Sequence, residues 1–277
     1  MTKFLYIGFL WDLSVKTVEL PEKKKRKYAD CIASWTLGSL YTVKEAEKII
    51  GTLNHICLAI PEGRSHLVSL YKFQGGFKTH HAHETKHKLP HGASSDVDWW
   101  RRHLEDEFVG MKIIRPLEPM NTALFIDALT GWGIGLVLNG RWLAWKFKDG
   151  WKTDSREIDW AEMVTVELAV CTLITGKFSN CHIIIRSDNK GIVGALGAGR
   201  SRGTQQNLIL REIVKLIQNN NLWISTIWIS TLDNPADAPS RGIFPEKKLL
   251  YAFPPKLPFH LTEFIHKEVD YQDPRLN

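Results

Sequence analysis

Two short apolar runs in this chain each lead into an aspartate, and this feature constrains the fold more than any other. Asp127 directly follows the apolar run 123–126, and Asp188 lies three positions after the run 183–185. An ionised carboxylate beside the core of a sheet is costly unless a partner neutralises it, and a divalent cation is a common partner. If the two runs form neighbouring strands, their aspartates converge on one point.

Two further acidic residues extend the pattern. Glu162 begins the apolar segment between the two runs, and Asp237 lies in the stretch 234–242, Asn-Pro-Ala-Asp-Ala-Pro-Ser-Arg-Gly. Oxygen-only ligands suit hard cations, so we expect Mg²⁺, with Mn²⁺ as a substitute, rather than zinc. Taken singly, each acid is better explained as an ordinary surface or capping residue. All four in the order Asp, Glu, Asp, Asp predict a metal-dependent nuclease that cleaves phosphodiesters.

The composition fits a soluble globular protein. The chain has 277 residues, enough for two domains of ordinary size, and 44% of them are apolar. No segment approaches the roughly 18 uncharged apolar residues of a membrane span, and the N-terminus lacks a signal-peptide pattern. Four scattered cysteines predict neither a zinc module nor a disulfide framework, so we expect an intracellular location, with cytoplasm and nucleus both open. The net charge of +6 permits a polyanionic partner without requiring one.

The order of predicted elements divides the chain into four parts. Residues 1–95 mix strand and helix signals, and 96–120 contain a short amphipathic helix that links to the next part. Between 121 and 245 the patterns predict three strands, a helix, a strand, two helices, a strand and a short helix, which is a mixed α/β domain. Residues 246–277 contain three closely spaced prolines and are predicted to form a largely extended tail.

Within the first part, residues 4–9 and 16–20 are predicted to pair as a hairpin. Helices are predicted over 22–37 and 43–60, and a polar linker over 74–95. The basic run 23–27 can be interpreted as a nuclear-import signal, as a contact to duplex nucleic acid, or most plainly as a solvated helix face.

The region 120–245 resembles the ribonuclease H domain of retroelement reverse transcriptases, in particular the gypsy-like, tyrosine-recombinase-bearing and hepadnaviral groups. The matching stretches are 125–128 with the glycines at 131, 133 and 135, then 158–162, 186–189 and 234–242. The resemblance implies a ribonuclease H-like mixed five-stranded sheet flanked by helices, with the first and fourth strands adjacent and parallel. It also implies two Mg²⁺ ions, roughly 3.5–4 Å apart, held by Asp127, Glu162, Asp188 and Asp237.

Upstream, the stretches 6–12, 20–22 and 51–53 resemble the end of the palm, the thumb and the connection of the same polyproteins. A smaller, mainly helical thumb/connection-like region is therefore expected before the nuclease domain. The Asp-Asp pair of a polymerase centre does not occur in the chain. Polymerase activity is not expected from this chain by itself. We expect either a fragment whose partner is the polymerase part of a parent polyprotein, or a truncated and domesticated descendant.

The glutamate of the set has two candidates. Glu162 lies 26 positions before Asp188, as in gypsy-like elements, whereas Glu167 lies 21 before it, close to the spacing of cellular ribonucleases H. Five helical positions separate the two glutamates by about 140°, so both are not expected to face the metals. We favour Glu162, because it follows the Ile-Asp-x-x-Glu lead-in of the retroelement relatives.

Polar residues near these acids are candidates for nucleic-acid contacts. Asn189 is predicted either to support the site or to cap the following helix. The segment 199–207 combines basic, hydroxyl and amide groups at a helix start, which is typical of a phosphate-binding site or of a solvated loop. Ser240 and Arg241 are candidates for phosphate contacts, or else for capping and surface pairing. The residues predicted to bind nucleic acid are Asn189, Arg200, Ser201, Arg202, Gln206, Asn207 and Arg241.

Together these features predict an endonuclease, derived from a retrotransposon reverse transcriptase, that hydrolyses the RNA strand of RNA/DNA hybrids. It would leave 3′-hydroxyl and 5′-phosphate ends and select hybrids partly through 2′-hydroxyl contacts. The alternative is a domesticated, catalytically weak scaffold that binds nucleic acid or protein through the same fold. The presence of all four acids favours the enzyme, and the missing polymerase centre favours the scaffold.

Overall fold

The computed structural model describes residues 2–77, 85–113 and 117–268. The chain divides into two compact units, Met1–Arg115 and Pro116–Asn277. Residues 78–84, 114–116 and 269–277 lie outside the described residues. They belong to the predicted linker 74–95, the predicted link 96–120 and the predicted tail 246–277.

The first unit combines short strands with helices. Its α-helices are α1 (Glu22–Ala33), α2 (Val43–Ile56), α3 (Val68–Gly75) and α4 (His91–Glu105), and a 3₁₀ turn covers Pro61–Leu67. Its strands are β1 (Lys3–Tyr6), β2 (Phe9–Asp12), β3 (Thr17–Glu19), β4 (Leu40–Tyr41), β5 (His87–Lys88) and β6 (Gly110–Lys112). Strands β1, β2, β3 and β6 form an antiparallel sheet in that order, and β4 pairs with β5.

Three features of the first unit differ from the prediction. The segment 4–9 is not one strand, because a turn at Ile7 and Gly8 divides it into β1 and β2, and Gly8 adopts a φ of +82°, which favours glycine. The predicted linking helix within 96–120 is also different. Helix α4 begins at His91 and buries Trp100 and Leu104 in the core of this unit, so it is a packed element. Since a four-stranded sheet is present as well, the unit is less purely helical than expected.

The second unit contains six strands in its described part. They are β7 (Pro119–Leu129), β8 (Gly133–Leu138), β9 (Arg141–Phe147), β10 (Cys181–Ser187), β11 (Leu222–Trp228) and β12 (Ile265–Glu268). The α-helices are α5 (Ile158–Thr175), α6 (Lys190–Ala198), α7 (Thr204–Asn219) and α8 (Asp237–Ser240). Short 3₁₀ turns cover Thr231–Asp233, Lys247–Leu249 and Phe259–Leu261.

These strands form one mixed sheet in the order β11-β10-β7-β8-β9-β12. Strands β7, β10 and β11 are parallel to one another, and the remaining pairings are antiparallel. The unit is therefore a mixed α/β fold with a six-stranded sheet flanked by helices, compatible with a ribonuclease H-like fold. The first and fourth strands of the unit, β7 and β10, are neighbours, with Ile185 opposite Leu124.

The sheet has six strands where five were expected. The additional strand, β12, comes from the segment that was predicted to be an extended tail, and it pairs with β9 so that Ile265 lies opposite Phe147. Ile265 is buried, which gives this part of the segment a place in the core. Residues 265–268 are extended, and they pair with the sheet.

Helix α5 lies at the centre of the second unit. It packs against β7, β8 and α7, and almost every residue from Trp160 to Leu173 is buried. A helix enclosed on all sides needs no polar face, which explains its nearly continuous apolar sequence. Its burial also determines the environment of the acidic residues that it carries.

Two further observations concern membrane-spanning helices and the cysteines. Among the helices of the described ranges, none combines the length and hydropathy needed to cross a bilayer. The four cysteines, Cys31, Cys57, Cys171 and Cys181, are free thiols.

Candidate metal centre

Three carboxylates from separate elements meet in the second unit. Asp127 lies near the end of β7, Glu162 lies near the start of α5, and Asp188 directly follows β10. Each offers one oxygen, and these oxygens all lie within 4.8 Å of one another. Asp127 and Glu162 are buried, and Asp188 is partly exposed. The parallel pairing of β7 with β10 brings the two aspartates together, because the carboxyl ends of parallel strands share one edge of a sheet.

Burial and mutual repulsion disfavour negative charge in this cluster. Burial, together with the charges of Asp127 and Asp188, raises the pKa of Glu162 to about 9. Burial also raises the pKa of Asp127 to about 6, although a hydrogen bond from Ser240 opposes this shift. Crowded carboxylates of this kind remain ionised together only when a cation compensates them.

One oxygen of the cluster is unsatisfied. Oε2 of Glu162 is buried and has no hydrogen-bond partner among the described residues. A buried polar atom without a partner is costly, and a metal ion is one way to satisfy it. Three carboxylates within reach of one point form an all-oxygen donor set. These residues therefore fit a metal ion with oxygen ligands.

Asp237 borders the same pocket but is not one of the three convergent carboxylates. Its two oxygens accept hydrogen bonds from the Nε and one terminal nitrogen of Arg241, both at 2.8 Å. Its charge nevertheless contributes to the raised pKa of Asp127. Of the four acids in the predicted set, three converge and the fourth is paired with Arg241.

The stretch 234–242 is hydrogen-bonded to β7, the strand that carries Asp127. Asn234 Nδ2 donates to the Ile126 carbonyl oxygen at 3.0 Å, and the buried Ser240 hydroxyl donates to Asp127 Oδ2. Gly135 on β8 permits this close approach, because a Cβ there would overlap the backbone of Ala236 and Ser240. Ser240 is fully buried, and its hydroxyl supports Asp127.

The environment of Asp188 is equally well defined. Thr231 Oγ1 donates to Asp188 Oδ2 at 2.6 Å, and the indole nitrogen of Trp228 donates to the Asp188 carbonyl oxygen at 2.9 Å. Asn189 caps α6, with its Oδ1 accepting from the Ile192 amide at 3.1 Å, and its side chain also hydrogen-bonds Glu162. Sequence reasoning missed Thr231 and Trp228, because a polar residue after a strand and an aromatic residue at a strand's end have no distinctive spacing.

Glu167 faces away from the cluster. Its carboxylate lies 3.0 Å from His260 Nε2, in the 3₁₀ turn Phe259–Leu261, and this hydrogen bond raises the pKa of His260. Glu162 is therefore the glutamate of α5 that lies beside Asp127 and Asp188.

The candidates for nucleic-acid binding in the segment 199–207 divide into two groups. Arg200 and Arg202 are exposed. Three others, Ser201, Gln206 and Asn207, are buried and bonded within the protein. The Ser201 amide donates to Asn207 Oδ1 at 3.0 Å, the Ser201 hydroxyl donates to Gln206, and Gln206 Nε2 donates to the Asp159 carbonyl oxygen at 3.0 Å. They attach the loop before α7 to the start of α5. Arg241 is exposed but paired with Asp237.

Fold and site together define a mixed α/β domain with a candidate metal centre at the carboxyl ends of its parallel strands. No family model matches the chain, and no curated protein matches it. Among solved structures, the foamy viral protease-reverse transcriptase dRH in complex with double-stranded DNA is similar, at 13% identity and a TM-score of 0.33, over 84% of this chain and 38% of that chain. The foamy viral protease-reverse transcriptase in complex with an RNA/DNA hybrid is similar at 13% identity and a TM-score of 0.32, over 92% of this chain and 32% of that chain. The chain thus spans about a third of the length of these proteins, and the likeness is too weak to define its fold or function.

Proposed function

We propose that this protein is a metal-dependent endonuclease of the ribonuclease H type, which hydrolyses the RNA strand of RNA/DNA hybrids. The observation that carries the proposal is the convergence of Asp127, Glu162 and Asp188, whose oxygens lie within 4.8 Å of one another. The resemblance of 120–245 to retroelement ribonuclease H domains supports the same activity. The polymerase part of a parent polyprotein is the proposed partner of the chain, and no polymerase activity is assigned to it.

The proposed metal ligands are Asp127, Glu162 and Asp188, with Asp237 as a fourth once it leaves Arg241. Their donor atoms are hard oxygens, so the proposed ions are two Mg²⁺, with Mn²⁺ as a substitute. When bound, such ions activate the attacking water and stabilise the leaving 3′ oxygen.

The chain's own residues prepare this site before any ligand arrives. Thr231 and Ser240 hold the carboxylates of Asp188 and Asp127 by hydrogen bonds. Such supporting bonds fix the orientation of ligands and reduce the reorganisation needed on binding. The exposed Arg200 and Arg202, together with Asn189 and Arg241, are the proposed contacts to the nucleic acid.

The proposal is tested with purified protein and end-labelled substrates of one sequence: RNA/DNA hybrid, duplex RNA and duplex DNA. In Mg²⁺ we expect cleavage of the RNA strand of the hybrid alone, leaving 5′-phosphate ends. Asp188→Asn should abolish cleavage, whereas Asp149→Asn, a matched change at an exposed position, should not. Cleavage that survives Asp188→Asn would contradict the proposal.

A catalytically weak scaffold that binds nucleic acid or protein is the second candidate. The pairing of Asp237 with Arg241 favours it, because this pair removes one carboxylate from the set. The scaffold would bind the hybrid but leave it intact in both Mg²⁺ and Mn²⁺. Arg241→Gln, which releases Asp237, would not restore cleavage if the scaffold is correct.

A further inference from the structure

The pocket that contains the carboxylates is also lined by two cationic side chains, Lys190 and Arg241. Arg241 is occupied by Asp237 through two hydrogen bonds of 2.8 Å. Lys190 is exposed and makes no ion pair within the described part of the chain. Its Nζ lies 4.6 Å from the ring centre of Trp228. Of the two lining cations, Lys190 is thus the one that forms no salt bridge with a described carboxylate.

Trp228 is held firmly but remains open to solvent. It ends β11 opposite Ser187, and its indole nitrogen donates to the Asp188 carbonyl oxygen at 2.9 Å. The side chain is nevertheless 46% exposed, whereas Trp142 and Trp145 of the same sheet are buried. An anchored, half-exposed indole ring directly beside Asp188 is available for contact with a ligand.

Helix stability does not explain the position of Lys190. Lysine is the first residue of α6, where the positive end of the helix dipole disfavours a cation. A nucleic-acid strand brings one negative charge per nucleotide towards a pocket lined by acidic side chains. A cation without an acidic partner at the rim offsets this repulsion. An indole face adds a surface on which a base or a sugar can pack.

We propose that Lys190 and Trp228 form a substrate-binding rim that holds the strand to be cut next to the scissile phosphate. The ammonium group pairs with a non-bridging oxygen of a phosphate adjacent to the scissile one, and the indole packs against the adjoining nucleotide. This inference rests on the nuclease function proposed above. Neither residue contacts the reacting atoms, so the rim contributes to the binding of the substrate and little to the chemical step.

The test compares Lys190→Gln, Lys190→Arg, Trp228→Leu and Trp228→Phe in steady-state cleavage of an RNA/DNA hybrid at several salt concentrations. Lys190→Gln should raise KM roughly tenfold, leave kcat nearly unchanged and reduce the salt slope of log KM by about one, while Lys190→Arg retains binding. Trp228→Leu should raise KM roughly 5- to 100-fold. Trp228→Phe keeps an aromatic face, so its KM should rise less.

Lys152→Gln is the matched control. Lys152 is likewise exposed and lies over a tryptophan, with its Nζ 5.6 Å from the ring centre of Trp151, but it does not line the pocket. Its KM and salt slope should equal those of the wild-type protein. Thermal unfolding of each variant separates a binding defect from a folding defect.

The possible failures are distinguishable. Cleavage by the wild-type protein with an unchanged KM and salt slope in Lys190→Gln would overturn the rim and leave the nuclease proposal standing. No cleavage by the wild-type protein in Mg²⁺ or Mn²⁺ would overturn the nuclease proposal itself. In that case, the fluorescence anisotropy of a labelled hybrid in EDTA tests the rim as a binding surface. A roughly tenfold weaker affinity of Lys190→Gln than of the wild-type protein for the hybrid supports the rim, and an equal affinity overturns it.

Discussion

Ser240 donates a hydrogen bond to Oδ2 of Asp127, which lies 113 positions earlier in the chain. The bond opposes the effect of burial, which raises the pKa of Asp127 to about 6, because a donor stabilises the ionised carboxylate. The short helix α8 thus influences the charge of a residue in the sheet.

Ser240→Ala should therefore raise the pKa of Asp127 further. Because a metal ligand must be ionised, we expect weaker Mn²⁺ binding near pH 6 and a smaller difference at pH 8. The loss of one buried hydrogen bond should also lower the free energy of unfolding by about 1–2 kcal/mol. Calorimetric titration at both pH values measures the effect, with the exposed Ser179→Ala as control. An identical pH dependence in Ser240→Ala and wild type would refute this coupling.

Gly135→Ala should displace α8 from the sheet. The added Cβ would overlap the backbone of Ala236 and Ser240, whereas a Cβ at Gly131 meets nothing within 4 Å. We expect Gly135→Ala to lower the free energy of unfolding by about 1–3 kcal/mol and to reduce cleavage. Denaturant unfolding of the two alanine variants provides the comparison. Equal losses for both would mean that close approach at Gly135 is unimportant.

Glu162→Gln should stabilise the metal-free protein at neutral and alkaline pH. The folded-state pKa of Glu162, about 9, lies above its ordinary value of 4.5, so the folded state keeps a proton that the unfolded chain releases. Stability is therefore lost as the pH rises between these values, and the amide removes this loss. At pH 8 in EDTA we expect a gain of about 2 kcal/mol or more, together with complete loss of cleavage. A less stable variant at pH 8 would contradict the assignment of the raised pKa.

Glu167→Gln should leave cleavage intact, because the Glu167 carboxylate bonds to His260 and is not one of the three convergent carboxylates. The pair predicts a separate pH dependence. The hydrogen bond to Glu167 raises the pKa of His260, so its stabilising contribution is present below the ordinary imidazole value of 6.5 and is lost as the pH rises through the higher folded-state value. His260→Gln should therefore lower the Tm at pH 6 more than at pH 9. Loss of cleavage in Glu167→Gln would mean that Glu167, and not Glu162, is the glutamate needed for cleavage.

Metal binding should stabilise the folded chain measurably. A cation at 100 times its Kd adds about 2.7 kcal/mol to the free energy of unfolding, and EDTA should reverse this gain. Asp188→Asn removes one of three convergent carboxylates and should abolish most of the shift in Tm. An equal shift in Asp188→Asn would place the bound metal elsewhere.

Much of the second unit could be predicted from the sequence because its buried strands and α5 are continuous apolar runs. The convergence of Asp127 with Asp188 required knowing that β7 and β10 are neighbours, which came from the resemblance to a family and not from periodicity. Local pattern alone does not determine which strands pair, since pairing depends on packing of distant segments.

Other features could not be derived from residue types. Ser201, Gln206 and Asn207 carry the groups that bind phosphate, but the same groups equally bond to one another when a loop is buried. The pairing of Asp237 with Arg241, by contrast, follows the ordinary four-residue spacing of helical ion pairs and could have been predicted. Strand β12 is too short, at four residues, for alternation to identify it.

The position of β12 has a practical consequence for dissecting the protein. Because it occupies the outer side of β9, a shortened chain ending at residue 245 would present a bare row of backbone donors and acceptors along that strand. An unpaired edge strand of this kind can pair with a strand of a second copy of the chain. Shortened domains would then aggregate while their acidic pocket stays intact, and poor solubility would be mistaken for poor catalysis.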